Sequence, residues 1–140
     1  MDANVIGGLV GGLSVMIVGY PIALTRKGSV RKARMGTRHL EIRTPIDPQS
    51  AFERIRTIGS PFKVDDADAQ ENIIVLSTPV SFATWGFLYP VFVHPDGAGS
   101  RIDIGIESKF MQFGPIVGKK HRDCVRAIEN ELSIPAARAI

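Results

Sequence analysis

The most continuous apolar stretch of the chain is VIGGLVGGLSVMIVGYPIAL, residues 5–24, which contains no charged side chain. A helix of about 20 apolar residues is long enough to cross the hydrocarbon core of a bilayer. The pattern predicts an N-terminal transmembrane anchor over residues 1–24, with a buried helix of a globular core as the alternative. A cleaved signal peptide is disfavoured because no positive charge precedes the run and no small-residue cleavage site follows it.

Four glycines within this run are spaced as two pairs, Gly7 with Gly11 and Gly8 with Gly12. Residues four apart lie on one face of a helix, and small residues there let a second membrane helix approach closely. The spacing lacks the strand and the lysine of a phosphate-binding loop. We therefore predict that these glycines pack against the transmembrane helix of another subunit.

A basic strip follows the apolar run. Between Thr25 and Leu40 there is no acidic residue and there are six basic ones: Arg26, Lys27, Arg31, Lys32, Arg34 and Arg38. Basic residues beside a span remain on the cytoplasmic side, which predicts an N-terminus outside and a cytoplasmic domain. We interpret residues 25–38 as a juxtamembrane linker attracted to the anionic headgroups of the lipid bilayer.

This strip also accounts for the basic character of the whole chain, which has 17 Lys and Arg against 14 Asp and Glu. Without the strip, the rest of the chain has no basic excess. A nucleic-acid-binding domain needs a basic patch on a folded face. The sequence therefore predicts no nucleic-acid partner.

Periodic patterns continue over residues 39–134. Residues 39–43 alternate as in a strand, and Asp47 followed by Pro48 is typical of a helix start, with an apolar stripe to Ile58. Residues 72–77 form an apolar run typical of a central strand. Residues 85–94 and 101–108 predict a hairpin joined by a Gly-rich turn.

Two local features modify this picture. Pro90 lies inside the predicted strand 85–94 and removes one ladder donor, which favours an edge position or a bulge. The acidic cluster Asp65, Asp66, Asp68 and Glu71 is interpreted as a solvated turn after a short strand at 62–64. The cluster lacks the glycine and terminal glutamate of a calcium-binding loop.

A second amphipathic helix is predicted over residues 115–132, before Pro135 and a C-terminal tail at 135–140. The order of elements predicts an α+β domain, a two-layer arrangement with an antiparallel sheet and two helices on one face. Its strand–helix opening, LEIRTPIDPQSAFERIRTI, with the closing helix, resembles the entry to START-like helix-grip domains. That resemblance covers about 20 residues and implies a lipid- or small-ligand-binding fold; it supplies no site residues.

Catalytic and metal-binding patterns are not found in the sequence. Cys124 and His121 are three residues apart on the predicted helix and could touch, but both fall on its apolar stripe, which favours a packed thiol and a core histidine. One cysteine and three scattered histidines provide no zinc spacing. We predict no catalytic residues, no metal and no cofactor.

These observations predict a non-catalytic, single-pass accessory subunit of a larger membrane complex, respiratory or photosynthetic. The alternative is a membrane-tethered domain that binds a lipid or small apolar ligand. The aromatic strand 85–94 and the segment 109–113 motivate this alternative, because both place bulky apolar side chains close together.

Overall fold

The computed structural model describes residues 27–36, 38–80, 86–109 and 115–133. These residues form an α+β unit with one antiparallel sheet and two α-helices, which confirms that part of the predicted fold class. The elements are β1 (His39–Thr44), α1 (Pro48–Arg56), β2 (Lys63–Asp68), β3 (Ile73–Thr78), β4 (Phe87–Asp96), β5 (Gly99–Gly105), β6 (Glu107–Ser108) and α2 (Pro115–Leu132). A 3₁₀ turn, Val30–Lys32, precedes β1.

The sheet has the strand order β1-β5-β4-β3-β2, with β6 paired to the start of β4. All neighbouring strands are antiparallel, and β4 and β5 form the predicted hairpin, in which Gly97 has a φ of +59°. Glycine permits this backbone conformation, in which an L side chain would be strained. Because β4 ends at Asp96 and β5 begins at Gly99, the hairpin turn is shorter than the predicted Gly-rich loop.

Pro90 lies in a central strand, so the predicted edge position is wrong. On one side it pairs with Val75 of β3. On the other side the ladder is interrupted between β5 and β6, opposite Tyr89 and Pro90, and it resumes in the same register at Leu88. Because proline has no N–H to donate, this interruption is where the missing ladder bond falls.

Both helices pack on one face of the sheet, as predicted. Asp47 caps α1 by accepting a hydrogen bond from the amide of Ser50 at 3.0 Å. Arg54 of α1 donates to the carbonyl of Leu132 at 3.2 Å, which ties α1 to the end of α2. The apolar core lies between these helices and alternate residues of the strands, including Ile74, Leu76, Phe87, Tyr89, Val91, Ile102, Ile104, Cys124 and Ile128.

The opposite face of the sheet, here called the outer face, is crossed by residues 28–35. The amide of Gly28 donates to Oδ2 of Asp65, and the amide of Val30 donates to Oδ2 of Asp66, both at 2.8 Å. A Cβ at residue 28 would overlap the side chain of Val75, so glycine allows this close approach. Part of the predicted linker 25–38 is thus packed on the sheet.

The acidic cluster does not form the predicted solvated turn. Asp65, Asp66 and Asp68 all lie in β2, whose pairing with β3 is irregular between Val64 and Asp66. The irregularity is consistent with the extra residue of a β-bulge, which turns neighbouring side chains to one side. The carboxylates are used to bind backbone amides, and Asp68 binds those of the following turn.

The predicted transmembrane anchor, residues 1–24, and the glycines within it lie outside the described residues, as does Arg26. Across the described ranges, no helix has the length and apolar character required to cross a membrane.

Candidate functional site

A cleft lies between the helix-bearing face of the sheet and α2, with a volume of about 290 Å³. We call it the sheet–helix cleft. Its sheet side is formed by the loop before β2 and by strands β3 and β4, through Pro61, Phe62, Thr78 and Tyr89. Its helix side is formed by Lys120, Asp123, Arg126, Ala127 and Asn130 of α2.

Aromatic rings form the base of the cleft. Tyr89 is fully buried, and the partly exposed ring of Phe62 meets it edge-on with ring centroids 5.6 Å apart. The buried ring of Phe87 also neighbours Tyr89, at a centroid distance of 6.3 Å. Because Tyr89 has no exposed surface while Phe62 has some, the ring of Phe62 supplies the aromatic surface that the cleft exposes.

The hydroxyl of Tyr89 adds one polar group to this base. Its oxygen lies 3.5 Å from Oγ1 of Thr78, at the limit of a hydrogen bond, and that Oγ1 already accepts from the amide of Phe87 at 3.2 Å. Burial raises the pKa of Tyr89 well above its usual value. The phenol therefore remains protonated at neutral pH, and its hydroxyl is a buried polar group beside Thr78.

The helix side of the cleft is polar because of the periodicity of α2. Residues 120, 123, 127 and 130 recur at helical spacing on one face. The adjacent face of the same helix carries Cys124 and Ile128 into the core. The cleft consequently has an aromatic base and a charged rim.

A second cleft, of about 390 Å³, lies at the other end of the helix–sheet interface. It is lined by β1 and the loop after it together with the last turn of α2, through Ile42, Arg43, Thr44, Pro45, Ile46, Glu129, Leu132 and Ser133. Arg43 is engaged there by Glu41 and Asp96, with N–O distances of 2.9 and 2.8 Å. This cleft has no aromatic lining residue.

His121 and Cys124 are core residues, as their place on the apolar stripe predicted. Nε2 of His121 lies 2.6 Å from the carbonyl oxygen of Ile104, to which it donates. Burial lowers the pKa of His121, against the opposing effect of this hydrogen bond. Burial also raises the pKa of the Cys124 thiol, which has no exposed surface. The geometry does not place a reactive thiolate beside the histidine.

Of the predicted site residues that the structure describes, none lines the sheet–helix cleft. The four glycines and Arg26 are outside the described residues, while Lys27, Arg31, Lys32, Arg34 and Arg38 are exposed or partly exposed in the segment leading to β1. The cleft residues were missed because they come from a loop, two strands and a helix far apart in sequence. The signal that could have found them is the aromatic strand, which contributes Tyr89.

The fold is an antiparallel sheet with the long helix α2 across one face. No family model matches the sequence, and no curated protein matches it either. The solved structures that match include the crystal structure of Ara h 8.0201, with a TM-score of 0.51 and 11% identity over 68% of this chain and 93% of that chain. TTHA0849 from Thermus thermophilus matches with a TM-score of 0.39 and 13% identity over 66% of this chain and 86% of that chain. At this identity the likeness to Ara h 8.0201 shows the fold alone.

This likeness corrects the membrane interpretation. Since 93% of the Ara h 8.0201 chain is covered, that protein consists almost wholly of the same sheet-and-helix unit. In the described part of this chain, the unit buries its own apolar stripes and leaves one large hydrophobic side chain exposed, Leu40 at 38%. The predicted single-pass localisation and accessory-subunit class are wrong, and so are the predicted partners, the lipid bilayer and a transmembrane helix of another subunit.

Proposed function

We propose that this protein binds a small, largely apolar ligand in the sheet–helix cleft. The observation that supports the proposal most strongly is the combination of an aromatic base, a buried hydroxyl and a polar rim in one cleft of about 290 Å³. Small-molecule sites are typically apolar concavities of about 300–1,000 Å³ with a few placed polar groups. The volume is at the low end of that range, so the ligand is small.

The energetics favour an aromatic or otherwise planar ligand. Covering apolar surface contributes about 25 cal/mol for each Å² removed from water. A flat ligand can cover the exposed part of the Phe62 ring, which itself packs edge-on against the buried ring of Tyr89. The helix-grip resemblance of residues 40–58 is further support, since it implies a lipid- or small-ligand-binding fold.

The second cleft is less suited to such a ligand. Its lining lacks an aromatic ring, and its guanidinium, that of Arg43, is already paired with two carboxylates. A ligand there would compete with existing ion pairs and gain less stacking surface. We use this cleft as the internal control.

The test is binding of the neutral dye N-phenyl-1-naphthylamine, measured by its fluorescence with excitation in its own absorption band. Asn130 and Glu129 are exposed neighbours on α2, and each lines a different cleft. Asn130→Trp places a bulky ring in the sheet–helix cleft and should weaken dye binding by about tenfold or more, which corresponds to about 1.4 kcal/mol. Glu129→Trp should leave the affinity for the dye within about twofold of the wild-type value. Absence of binding to the wild-type protein, or equal effects of both variants, would contradict the proposal.

The absence of catalytic function remains a prediction. The buried Cys124 and the hydrogen-bonded His121 do not add support for a nucleophilic enzyme.

A further inference from the structure

The rim of the sheet–helix cleft carries an uneven set of charges. Lys120 and Arg126 contribute two positive charges, and Asp123 between them contributes one negative charge. The three residues follow one another at intervals of three along α2, so the acidic group is one turn from each basic group. Near neutral pH the rim therefore has a net positive charge.

Neither basic group forms an ion pair with another residue in the described part of the chain. Ion pairs among the described residues involve Arg43, Arg56, His94 and Arg101, and none involves Lys120 or Arg126. The carboxylate of Asp123 is likewise outside those pairs. Lys120 is partly buried at the cleft, so its ammonium group is less screened than that of a fully exposed lysine.

The aromatic base and the charged rim would contact different parts of a bound ligand. An apolar body against Phe62 faces α2 with its far edge, where Lys120 and Arg126 lie. An acidic substituent on that edge would pair with the two cations, whereas a cationic substituent would meet them as like charges. A neutral ligand would gain no charge pairing from either cation.

We propose that the ligand is amphipathic, with a planar apolar body and an acidic group, a carboxylate or sulfonate, that Lys120 and Arg126 bind. This inference rests on the proposed function, because it assigns the ligand class of the same cleft. Lys120 and Arg126 act as specificity residues, and Asp123 reduces the preference for an anion.

Two matched dyes test the inference. 8-Anilino-1-naphthalenesulfonate has the same ring system as N-phenyl-1-naphthylamine and one added sulfonate. We expect the sulfonated dye to bind more tightly, and its affinity to fall with added salt while that of the neutral dye does not. Exposed charge pairs contribute modestly, so we expect about two- to fivefold per basic residue.

Substitutions in α2 test whether the charges at the rim of the cleft determine the affinity for the sulfonated dye. The double variant Lys120→Gln with Arg126→Gln should weaken binding of the sulfonated dye by about fivefold or more and change the neutral dye by less than about twofold. Asp123→Asn should strengthen binding of the sulfonated dye. The control is Lys119→Gln with Arg122→Gln, which removes the same charge from positions of α2 outside the cleft.

The outcomes separate the two proposals. A selective loss of affinity for the sulfonated dye in the Lys120→Gln, Arg126→Gln double variant, with little effect in the control variant, supports the acidic ligand. Equal affinities for both dyes, or equal losses in both double variants, overturn the acidic ligand but leave the cleft as a binding site. Failure of both dyes to bind the wild-type protein overturns both proposals.

Discussion

His121 is an ionisable side chain placed in an apolar core. It is 2% exposed, and its Nε2 donates to the carbonyl oxygen of Ile104 over a distance of 2.6 Å. Burial lowers its pKa, and the nearby positive charge of Arg38 adds to the effect. The native state thus favours the neutral imidazole, while the unfolded chain takes up a proton near pH 6.5.

This imbalance predicts a loss of stability in mild acid. Below about pH 6.5 the unfolded state binds more protons at this residue than the native state, so the free energy of unfolding falls as the pH decreases. His121→Gln keeps a donor for Ile104 but cannot be protonated. Urea denaturation at about pH 8 and about pH 5, on either side of the ordinary histidine pKa, should show a smaller pH-dependent loss in the Gln variant. An identical loss in both proteins would show that His121 does not contribute.

At the scale of elements, the attachment of residues 28–35 to the outer face depends on two aspartates of β2. Asp65 accepts from the amide of Gly28 and, through its other oxygen, from the hydroxyl of Ser77 at 2.8 Å. Asp66 accepts from the amide of Val30. Hydrogen bonds to a charged acceptor are among the stronger ones in proteins.

Asp65→Ala should release this attachment. Removing the carboxylate leaves the amide of Gly28 and the hydroxyl of Ser77 without their acceptor, which should cost about 1–3 kcal/mol of unfolding free energy. Amide hydrogen exchange should show lost protection at Gly28. The matched control is Asp68→Ala, which removes a carboxylate that binds the turn amides of Gln70 and Glu71. Equal protection of Gly28 in the wild-type protein and in Asp65→Ala would contradict this account.

The difference between local and long-range contacts explains which elements the sequence could predict. The start of α1 and both bounds of α2 follow from local signals, the Asp47 cap and the apolar stripe on α2, and the structure agrees with them, whereas α1 ends at Arg56, two residues before the predicted Ile58. The length of β2 does not follow from local signals, because its carboxylates accept hydrogen bonds from amides 36 and 37 residues away. Pro90 was placed at an edge because its neighbours across the sheet are not visible in a local pattern.

At the scale of the whole molecule, the candidate site was less predictable than the fold. Periodicity identified Tyr89 as part of an aromatic strand and Lys120, Asp123 and Arg126 as positions on a helix. Only the packing of α2 across the sheet brings them to one cleft. The apolar N-terminal run dominated the functional prediction, although it lies outside the described residues.

The most direct test of the account is a map of where the neutral dye binds. Titration of isotope-labelled protein with N-phenyl-1-naphthylamine, followed by amide chemical shifts, reports the position without any substitution. The account predicts that the largest shifts occur at Phe62, Thr78, Tyr89 and Ala127. Shifts concentrated at Thr44 and Ile46 of the second cleft, or no localised shifts, would contradict it.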